Sequence, residues 1–93
     1  MRYEWDDAKN NANRAKHHLS FETASEVFDD PLHLSKPDRI IDGEQRWQTI
    51  GVVGGLALIV VAHTYWDDDG DEVIRIISAR LASKRERRDY ENG

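Results

Sequence analysis

The sequence contains no cysteine, which excludes a disulfide framework, a thiolate metal site and a cysteine nucleophile. It also lacks a long apolar run, because the longest, residues 56–62, is far too short to cross a bilayer. The N-terminus is charged and polar from the start, unlike a signal peptide. No internal repeat or low-complexity segment is present. These absences favour a cytoplasmic protein.

Length and composition indicate one small domain over residues 1–93, with a thin core. A chain this short buries a modest fraction of its surface, which favours marginal stability or reliance on a partner. The net charge of −5 argues against indiscriminate binding of nucleic acid. The charges are unevenly distributed, with acids clustered at residues 22–30 and 67–72 and bases clustered near the C-terminus.

The C-terminal segment, residues 73–90, combines a strand pattern with a helix pattern and carries most of the positive charge. Ser83 and Glu86 form a capping box that predicts the helix start. Between Arg75 and Arg88 the only acid is Glu86. The bases of this segment are Arg75, Arg80, Lys84, Arg85, Arg87 and Arg88. Such a local positive field in an acidic chain predicts an anionic ligand.

The N-terminal third reads as a short strand followed by two helices. Residues 2–5 alternate as a strand does, and Asp6 is a good N-cap for a helix reaching about His17. Ala8 and Ala12, with Trp5 before them, form the apolar stripe of this helix. Ser20 is the expected cap of a second helix over residues 21–28, which ends before Pro31.

The remainder reads as a sheet followed by a helix. Residues 33–36 form a short strand, and residues 37–43 a polar connection. Strands are predicted at residues 45–53, 56–65 and 73–78, with a two-residue Gly54-Gly55 turn, an acidic loop at 66–71 and a helix at 83–91. The order predicts an α+β fold with helices on one face of the sheet.

Several stretches, in order, resemble the BrnT family of toxins from bacterial type II toxin–antitoxin systems. They are E-W-D at residues 4–6, N-x-x-K-H at 13–17, S-F-E-x-A at 20–24, V-F-D-D-P at 27–31, G-E-x-R at 43–46, H-T at 63–64, R-I-I-S-A-R at 75–80 and R-E-R-x-x-Y at 85–90. Each motif is weak alone, but the ordered set spans nearly the whole chain. His18 departs from the pattern, since the family usually has glycine there.

The resemblance implies a RelE-like fold and endoribonuclease activity that blocks translation. It also implies tight neutralisation by a small cognate antitoxin (BrnA-like), in a heterotetramer. DNA would then be bound only through the antitoxin, and no membrane or cofactor is expected. The five acids of residues 67–72 would repel RNA phosphate unless they point away from the RNA or contact a basic partner.

A ribonuclease that works without metal needs a base for the ribose 2′-hydroxyl, an acid for the leaving oxygen and cations for the phosphorane charge. Arg46, Arg75 and Arg80 are candidates for holding phosphate, because a guanidinium forks onto two oxygens. Arg75 and Arg80 converge only if their strand ends near Ser78.

Glu44 and His63 are the proton-transfer candidates. Glu44 lies two residues before Arg46, on the same side of a strand, and the free pKa of histidine lies near neutrality. The predicted catalytic set is Glu44, Arg46, His63, Arg75 and Arg80, and the predicted RNA-binding set is Lys84, Arg85, Arg87 and Arg88. No metal site is expected, because the histidines lack ligand spacing.

Each of these residues also has a structural interpretation. His63 ends a strand that reads as buried, where a hydrogen-bonded histidine is at least as common as a catalytic one. Glu44 and Arg46 are equally consistent with a surface ion pair, and the basic helix with a solvated face. Trp47 and Trp66 are candidates for base stacking, with neither role decided. The alternative function is a non-catalytic module that binds a protein partner in a complex on operator DNA.

Overall fold

The computed structural model describes residues Met1–Gly93 as a five-stranded sheet with three helices, and it confirms the predicted α+β fold class. The elements are β1 (Arg2–Glu4), α1 (Asp7–His17), α2 (Phe21–Ala24, extended by a 3-10 turn at Ser25–Asp29), β2 (Leu34–Ile41), β3 (Glu44–Val53), β4 (Ala57–Asp68), β5 (Asp71–Leu81) and α3 (Lys84–Asn92). The strand order is β1-β5-β4-β3-β2, with β1 parallel to β5 and the other neighbours antiparallel. None of the helices is long and apolar enough to span a membrane.

The hydrophobic core lies between one face of the sheet and α2. Phe21, Ala24 and Val27 pack there against sheet residues that include Ile59 and Val61. We call this side of the sheet the core face. The other side, which carries the alternate residues such as Ile50, Val60 and Arg80, is the open face.

The third helix lies on the open face, so the expectation that the helices share one face of the sheet was wrong. Glu86 and Asp89 of α3 border a cleft whose floor includes Ile50 and Val60. The helix buries none of its own residues. The capping box predicted for Ser83 and Glu86 is present.

Polar side chains, rather than the predicted alanine stripe, attach α1 to the rest of the molecule. Asn10 and Asn13 are its buried residues, whereas Ala8 and Ala12 are exposed. The Asn10 side-chain oxygen accepts from the Phe21 amide at 2.8 Å, and that of Asn13 accepts from the Ala79 amide at 3.2 Å. The first bond caps the N-terminus of α2, and the second satisfies a backbone donor of β5. These bonds explain why the side of α1 that packs against the molecule is polar.

His18 ends α1 in the left-handed conformation, with φ of 58° and ψ of 34°. Glycine adopts this conformation without steric cost, whereas a histidine side chain makes it less favourable. The backbone amide of His18 still donates to the Arg14 carbonyl at 2.9 Å. The helix end is therefore closed as a glycine would close it, but by a residue with a Cβ.

Two Asp-Gly turns make the strands longer than the sequence predicts. Asp42 and Gly43 have φ of 51° and 79°, and Asp69 and Gly70 have φ of 53° and 88°. Positive φ at both central residues is the hallmark of the two-residue turns that join antiparallel strands. The predicted connection at 37–43 is therefore mostly part of β2, and the predicted acidic loop at 66–71 is mostly the ends of β4 and β5.

The Gly54-Gly55 turn is one residue longer than predicted, because the paired residues that flank it are Val53 and Ala57. The loop therefore comprises residues 54–56, and Leu56, expected to begin the next strand, is 94% exposed within it. Both glycines have positive φ, at 64° and 70°.

A bulge in β5 brings Arg75 and Arg80 to the same face. Ala62 pairs with Ser78 and His63 pairs with Ile76, so Ile77 is an extra residue in β5. An extra residue reverses the alternation of side chains along a strand. The strand continues to Leu81, so the bulge, and not a strand end near Ser78, places both arginines on the open face.

Candidate functional site

A cavity of about 280 Å³ on the open face gathers cations from three separate elements. Lys9 comes from the first turn of α1, Arg46 from β3 and Arg75 from β5. The other lining residues are Glu44, Trp66 and Ile77. We call this feature the arginine cavity. Its chemistry is that of an anion site with one acid and one aromatic surface beside it.

Two polar atoms in this part of the open face are buried and have no hydrogen-bond partner in the protein. They are Nε of Arg46, which lines the arginine cavity, and Oγ1 of Thr64, which does not. Thr64 pairs with Arg75 in the ladder and shares its face of the sheet. Continuing the β3–β4 register by one position from the Trp47–His63 pair places Arg46 across from Thr64. The row thus places a buried threonine hydroxyl between two arginines of the open face.

The acids beside these arginines lie at the long end of the ion-pair range. Glu44 Oε1 is 3.9 Å from Arg46 Nε, which is within ion-pair range but beyond a hydrogen bond. Glu4 Oε1 is 3.5 Å from Arg75 Nη1. The side chain of Arg75 is 47% exposed. Exposed pairs at such distances contribute little, so a phosphate can compete for the arginines.

The acids of the β4–β5 hairpin divide between the two faces of the sheet. Asp68 and Asp71 pair with each other in the ladder and both contact Arg2, at 2.7 and 3.2 Å. Arg2 lies opposite Val73, which pairs with Trp66 of the arginine cavity. Asp67 and Glu72 pair with each other on the core face. Of these hairpin acids, Asp68 and Asp71 are therefore ion-paired with Arg2, and Asp67 and Glu72 lie on the face away from the cavity.

Arg80 shares the open face with Arg75 but lies four ladder positions away, about 13 Å along the sheet. Both ends of its guanidinium are bound to Glu86, at 2.7 and 2.9 Å. This pair raises the pKa of Arg80, and the bond from Arg80 is the main reason that the pKa of Glu86 falls to about 2. The structure thus places Arg80 as the link between β5 and α3, and not inside the arginine cavity.

The four bases predicted to bind RNA lie on exposed positions of α3. They are Lys84, Arg85, Arg87 and Arg88. None of them takes part in an ion pair. Because α3 covers part of the open face, these charges and the arginine cavity belong to the same side of the molecule.

His63 lies on the opposite face from the arginines. It is 3% exposed, Nε2 is 2.7 Å from Thr49 Oγ1, and the Phe28 ring packs edge-on with its centroid 5.0 Å away. Burial lowers its pKa from 6.5 to about 4. The structure therefore brings Glu44, Arg46 and Arg75 together and separates His63 from them.

Sequence reasoning overlooked Lys9 and Thr64. Lys9 occupies the third position of α1, where a capping box would have an acid and where the helix dipole disfavours a cation. A lysine at this unfavourable position was the one sign in the sequence that Lys9 could have a binding role. Thr64 belongs to the H-T pair of the ordered motifs, but only the register of β4 against β5 shows that it shares the face of Arg75.

The arrangement suits a phosphodiester with an adjacent base. Arg46 and Arg75 stand in one row across three strands, with Cα atoms about 10 Å apart from the strand spacing, so both can reach one phosphate region. Trp66, 37% exposed, offers a ring face beside them. Glu44 is the carboxylate closest to Arg46.

Comparisons with known proteins identify the family of the chain. The family model described as the ribonuclease toxin BrnT of type II toxin–antitoxin systems matches residues 5–86. The crystal structure of the Brucella abortus ribonuclease toxin BrnT is similar, with 32% sequence identity and a TM-score of 0.64, over 90% of this chain and 99% of that chain. No curated protein sequence matches. The resemblance seen in the ordered motifs is thus confirmed, and the chain belongs to the BrnT family of ribonuclease toxins from type II toxin–antitoxin systems.

Proposed function

We propose that this toxin binds an RNA phosphodiester in the arginine cavity and cleaves it without a metal ion. The observation that supports this most strongly is the convergence of three cations from separate elements, Lys9, Arg46 and Arg75, on one cavity of the open face. A phosphate supplies acceptors for Arg46 and Arg75 together. It also carries the negative charge that Lys9 and Arg75 favour.

Glu44 acts as the general base in this proposal. Its carboxylate takes the proton of a ribose 2′-hydroxyl, and the 2′-oxygen attacks the adjacent phosphorus. The bond from phosphorus to the 5′-oxygen breaks, leaving a cyclic phosphate on one fragment. Water in the open cavity protonates the departing 5′-oxygen. Arg46 and Arg75 stabilise the charge that accumulates on the phosphorane oxygens.

The surrounding residues hold the RNA on either side of the reacting phosphate. Trp66 stacks on a neighbouring base. The α3 bases Lys84, Arg85, Arg87 and Arg88 contact the backbone further along the open face. Arg80 acts by positioning α3 through Glu86. His63 stays outside this mechanism, since it lies buried on the core face.

The cellular role that we propose follows the family. RNA cleavage in the cytoplasm blocks translation, and a cognate BrnA-like antitoxin neutralises the toxin by covering its basic face. The two proteins form a heterotetramer, which binds operator DNA only through the antitoxin. Light scattering on the co-purified pair measures the stoichiometry directly, and a mass other than that of two toxins with two antitoxins contradicts it.

Cleavage of an end-labelled RNA by the purified chain tests the catalytic proposal. We expect Arg46→Gln and Arg75→Gln to lower the cleavage rate by about 10²-fold each, the typical cost of losing one charge-stabilising donor. Glu44→Gln should lower it by about 10²- to 10⁴-fold, the range for a general base. Activity should survive excess EDTA.

Arg14→Gln is the matched control, because it removes one arginine from an exposed part of α1 that does not line the arginine cavity. It should cleave like the wild type. Thermal melting of each variant separates a loss of fold from a loss of chemistry. If folded Arg46→Gln and Arg75→Gln both cleave at the control rate, the arginine cavity is not the active site. If the folded wild type binds an antitoxin and never cleaves RNA, the non-catalytic alternative replaces the proposal.

A further inference from the structure

A second cavity, on the core face, is lined by aromatic rings and has no counterpart in the proposed ribonuclease mechanism. Its volume is about 230 Å³. We call it the aromatic cleft. Its lining includes Phe28, Trp47, His63, Tyr65, Glu72 and Met1.

The rings are close enough to act as one surface. The centroids of Trp47 and Tyr65 are 5.4 Å apart, and those of His63 and Tyr65 are 6.4 Å apart. Phe28 stands edge-on to His63 at 5.0 Å. Tyr65 is 46% exposed, so its ring is accessible from solvent. Because this ring also packs on Trp47 beside the cavity, the two form an aromatic patch, and exposed patches mark interaction sites.

The electrostatic character of the aromatic cleft is negative. No lysine or arginine lines it, whereas Glu72 does. Asp67 stands directly opposite Glu72 on the same face, and neither acid is in an ion pair. Like charges directly opposite in a sheet are unfavourable. The ammonium of Met1, which also lines the cleft, is bound to Asp71 at 2.7 Å and not to either of these acids. Because burial lowers the pKa of His63 to about 4, that ring adds no positive charge near neutral pH.

The negative field extends past the rim of the aromatic cleft. The pKa of Tyr3 is raised, first by burial and then by the charges of Asp29 and Glu72. Tyr3 packs on Phe28, with ring centroids 5.7 Å apart. Such a field repels the backbone of a nucleic acid, so the rings are poorly placed to stack the bases of RNA.

We propose that the aromatic cleft binds a lysine or arginine side chain from an extended basic segment of a partner protein. The ring faces attract a cation, and Glu72 and Asp67 supply the opposite charge. The inference does not depend on RNA cleavage, since the cleft and the arginine cavity lie on opposite faces of the sheet. One small domain thus has a basic face for RNA and a separate acidic, aromatic face for protein.

Nuclear magnetic resonance titration with three ligands tests the proposal. The ligands are a hexapeptide of alternating arginine and alanine, the same peptide with citrulline for arginine, and a uridine hexanucleotide. Citrulline keeps the size of arginine and removes its charge. We expect the arginine peptide alone to produce saturable shifts of the Trp47 indole and Tyr65 resonances.

Two variants separately remove the aromatic ring and the negative charge that we propose bind the cation. Tyr65→Leu removes a half-exposed ring, and Glu72→Gln removes the charge with little change in shape. Each should weaken binding of the arginine peptide by about 3- to 10-fold, the range for one cation–π contact or one close charge. Asp69→Asn is the matched control, because it removes an acid from the turn of the same hairpin without touching the aromatic cleft. It should weaken binding by less than about 2-fold, as a distant exposed charge does.

Several results would overturn the proposal. Equal binding of the citrulline and arginine peptides would show that charge is not recognised. A uridine oligonucleotide that shifts Trp47 and Tyr65, and loses this ability in Tyr65→Leu, would make the aromatic cleft a base-binding site. Shifts that depend on protein concentration without peptide would assign the cleft to a second copy of this chain. Unchanged affinity in Glu72→Gln would refute the role of the acid even if Tyr65→Leu failed to fold.

Discussion

The ion pair between Arg80 and Glu86 should control whether α3 stays docked on the sheet. The helix buries no residue, so polar contacts must supply most of the free energy that holds it on the sheet. Arg80 binds both carboxylate oxygens of Glu86, and the Tyr90 hydroxyl donates to Asp30 at 2.6 Å near the other end of the helix. Glu86→Gln removes the charge of the first contact and keeps an oxygen for the Ser83 amide.

The magnitude follows from the pKa of Glu86, which falls from 4.5 to about 2. Each pKa unit corresponds to about 1.4 kcal/mol, so the whole shift corresponds to about 3 kcal/mol. The side chain of Arg80 is 41% exposed, and solvent screening reduces the value to about 1–2 kcal/mol. Because the folded-state pKa is depressed, this stabilisation is fully present above pH 4.5 and is lost as the pH falls towards 2.

Hydrogen exchange of the α3 amides measures this quantity directly, because local opening of a weakly packed helix precedes global unfolding. At neutral pH, Glu86→Gln should speed exchange of these amides by about 5- to 30-fold, the factor for 1–2 kcal/mol. Glu91→Gln, an exposed acid of α3 that is in no ion pair, should leave exchange nearly unchanged. A double-mutant cycle with Arg80→Gln should return a coupling of about 1–2 kcal/mol. A coupling near zero would refute the reasoning.

The same pair decides how a loss of activity in Arg80→Ala is to be interpreted. Because Arg80 belongs to the catalytic set predicted from the sequence, that prediction implies that Arg80→Ala loses RNA cleavage with its fold intact. The observed contacts predict that Glu86→Gln loses cleavage to a similar extent, since both changes release the basic helix. If Glu86→Gln cleaves normally while Arg80→Ala is inactive, Arg80 contacts RNA directly and the positioning role is wrong.

Two further predictions concern the core. His63 has a folded-state pKa of about 4 against 6.5 when unfolded, so acidification from pH 6.5 to 4 should lower the free energy of unfolding by up to about 3 kcal/mol; urea titrations should show a weaker pH dependence in His63→Gln, and an equal dependence would contradict the assigned pKa. Gly51→Ala should lower the free energy of unfolding by about 1–3 kcal/mol, because the alanine Cβ would stand 2.9 Å from the Val27 carbonyl oxygen and 3.4 Å from Asp30 Cβ. An unchanged melting temperature would show that the segment around Val27 moves away from the new methyl group without a loss of stability.

Local rules predicted the helix starts well. Asp6, Ser20 and Ser83 each accept a backbone bond at the N-terminus of a helix, as expected from their side chains. Capping depends on residues within one turn, so the sequence contains all the information that it needs. The family also followed from sequence, because its motifs are spread in order along nearly the whole chain.

The same reasoning misjudged α1 and the hairpins for identifiable reasons. Apolar periodicity selected Ala8 and Ala12, but tertiary hydrogen bonds buried Asn10 and Asn13 instead. The Asp69-Gly70 turn was readable from the dipeptide, yet the surrounding acids suggested a loop. A run of charged residues predicts that a segment is exposed to solvent, but it does not predict its secondary structure. The exposed end of a hairpin accommodates such a run as well as a loop does.

The amino-acid sequence by itself determined the order of elements, the helix caps, the family and the kinds of side chain available for binding phosphate. Only the tertiary structure decided which of those side chains meet. A single extra residue, Ile77, places Arg75 and Arg80 on the same face of the sheet. The register of β4 against its neighbours places His63 on the core face and Thr64 on the open face with the arginines. Register depends on pairing between residues far apart in the chain, and a shift of one position exchanges the two faces of a strand.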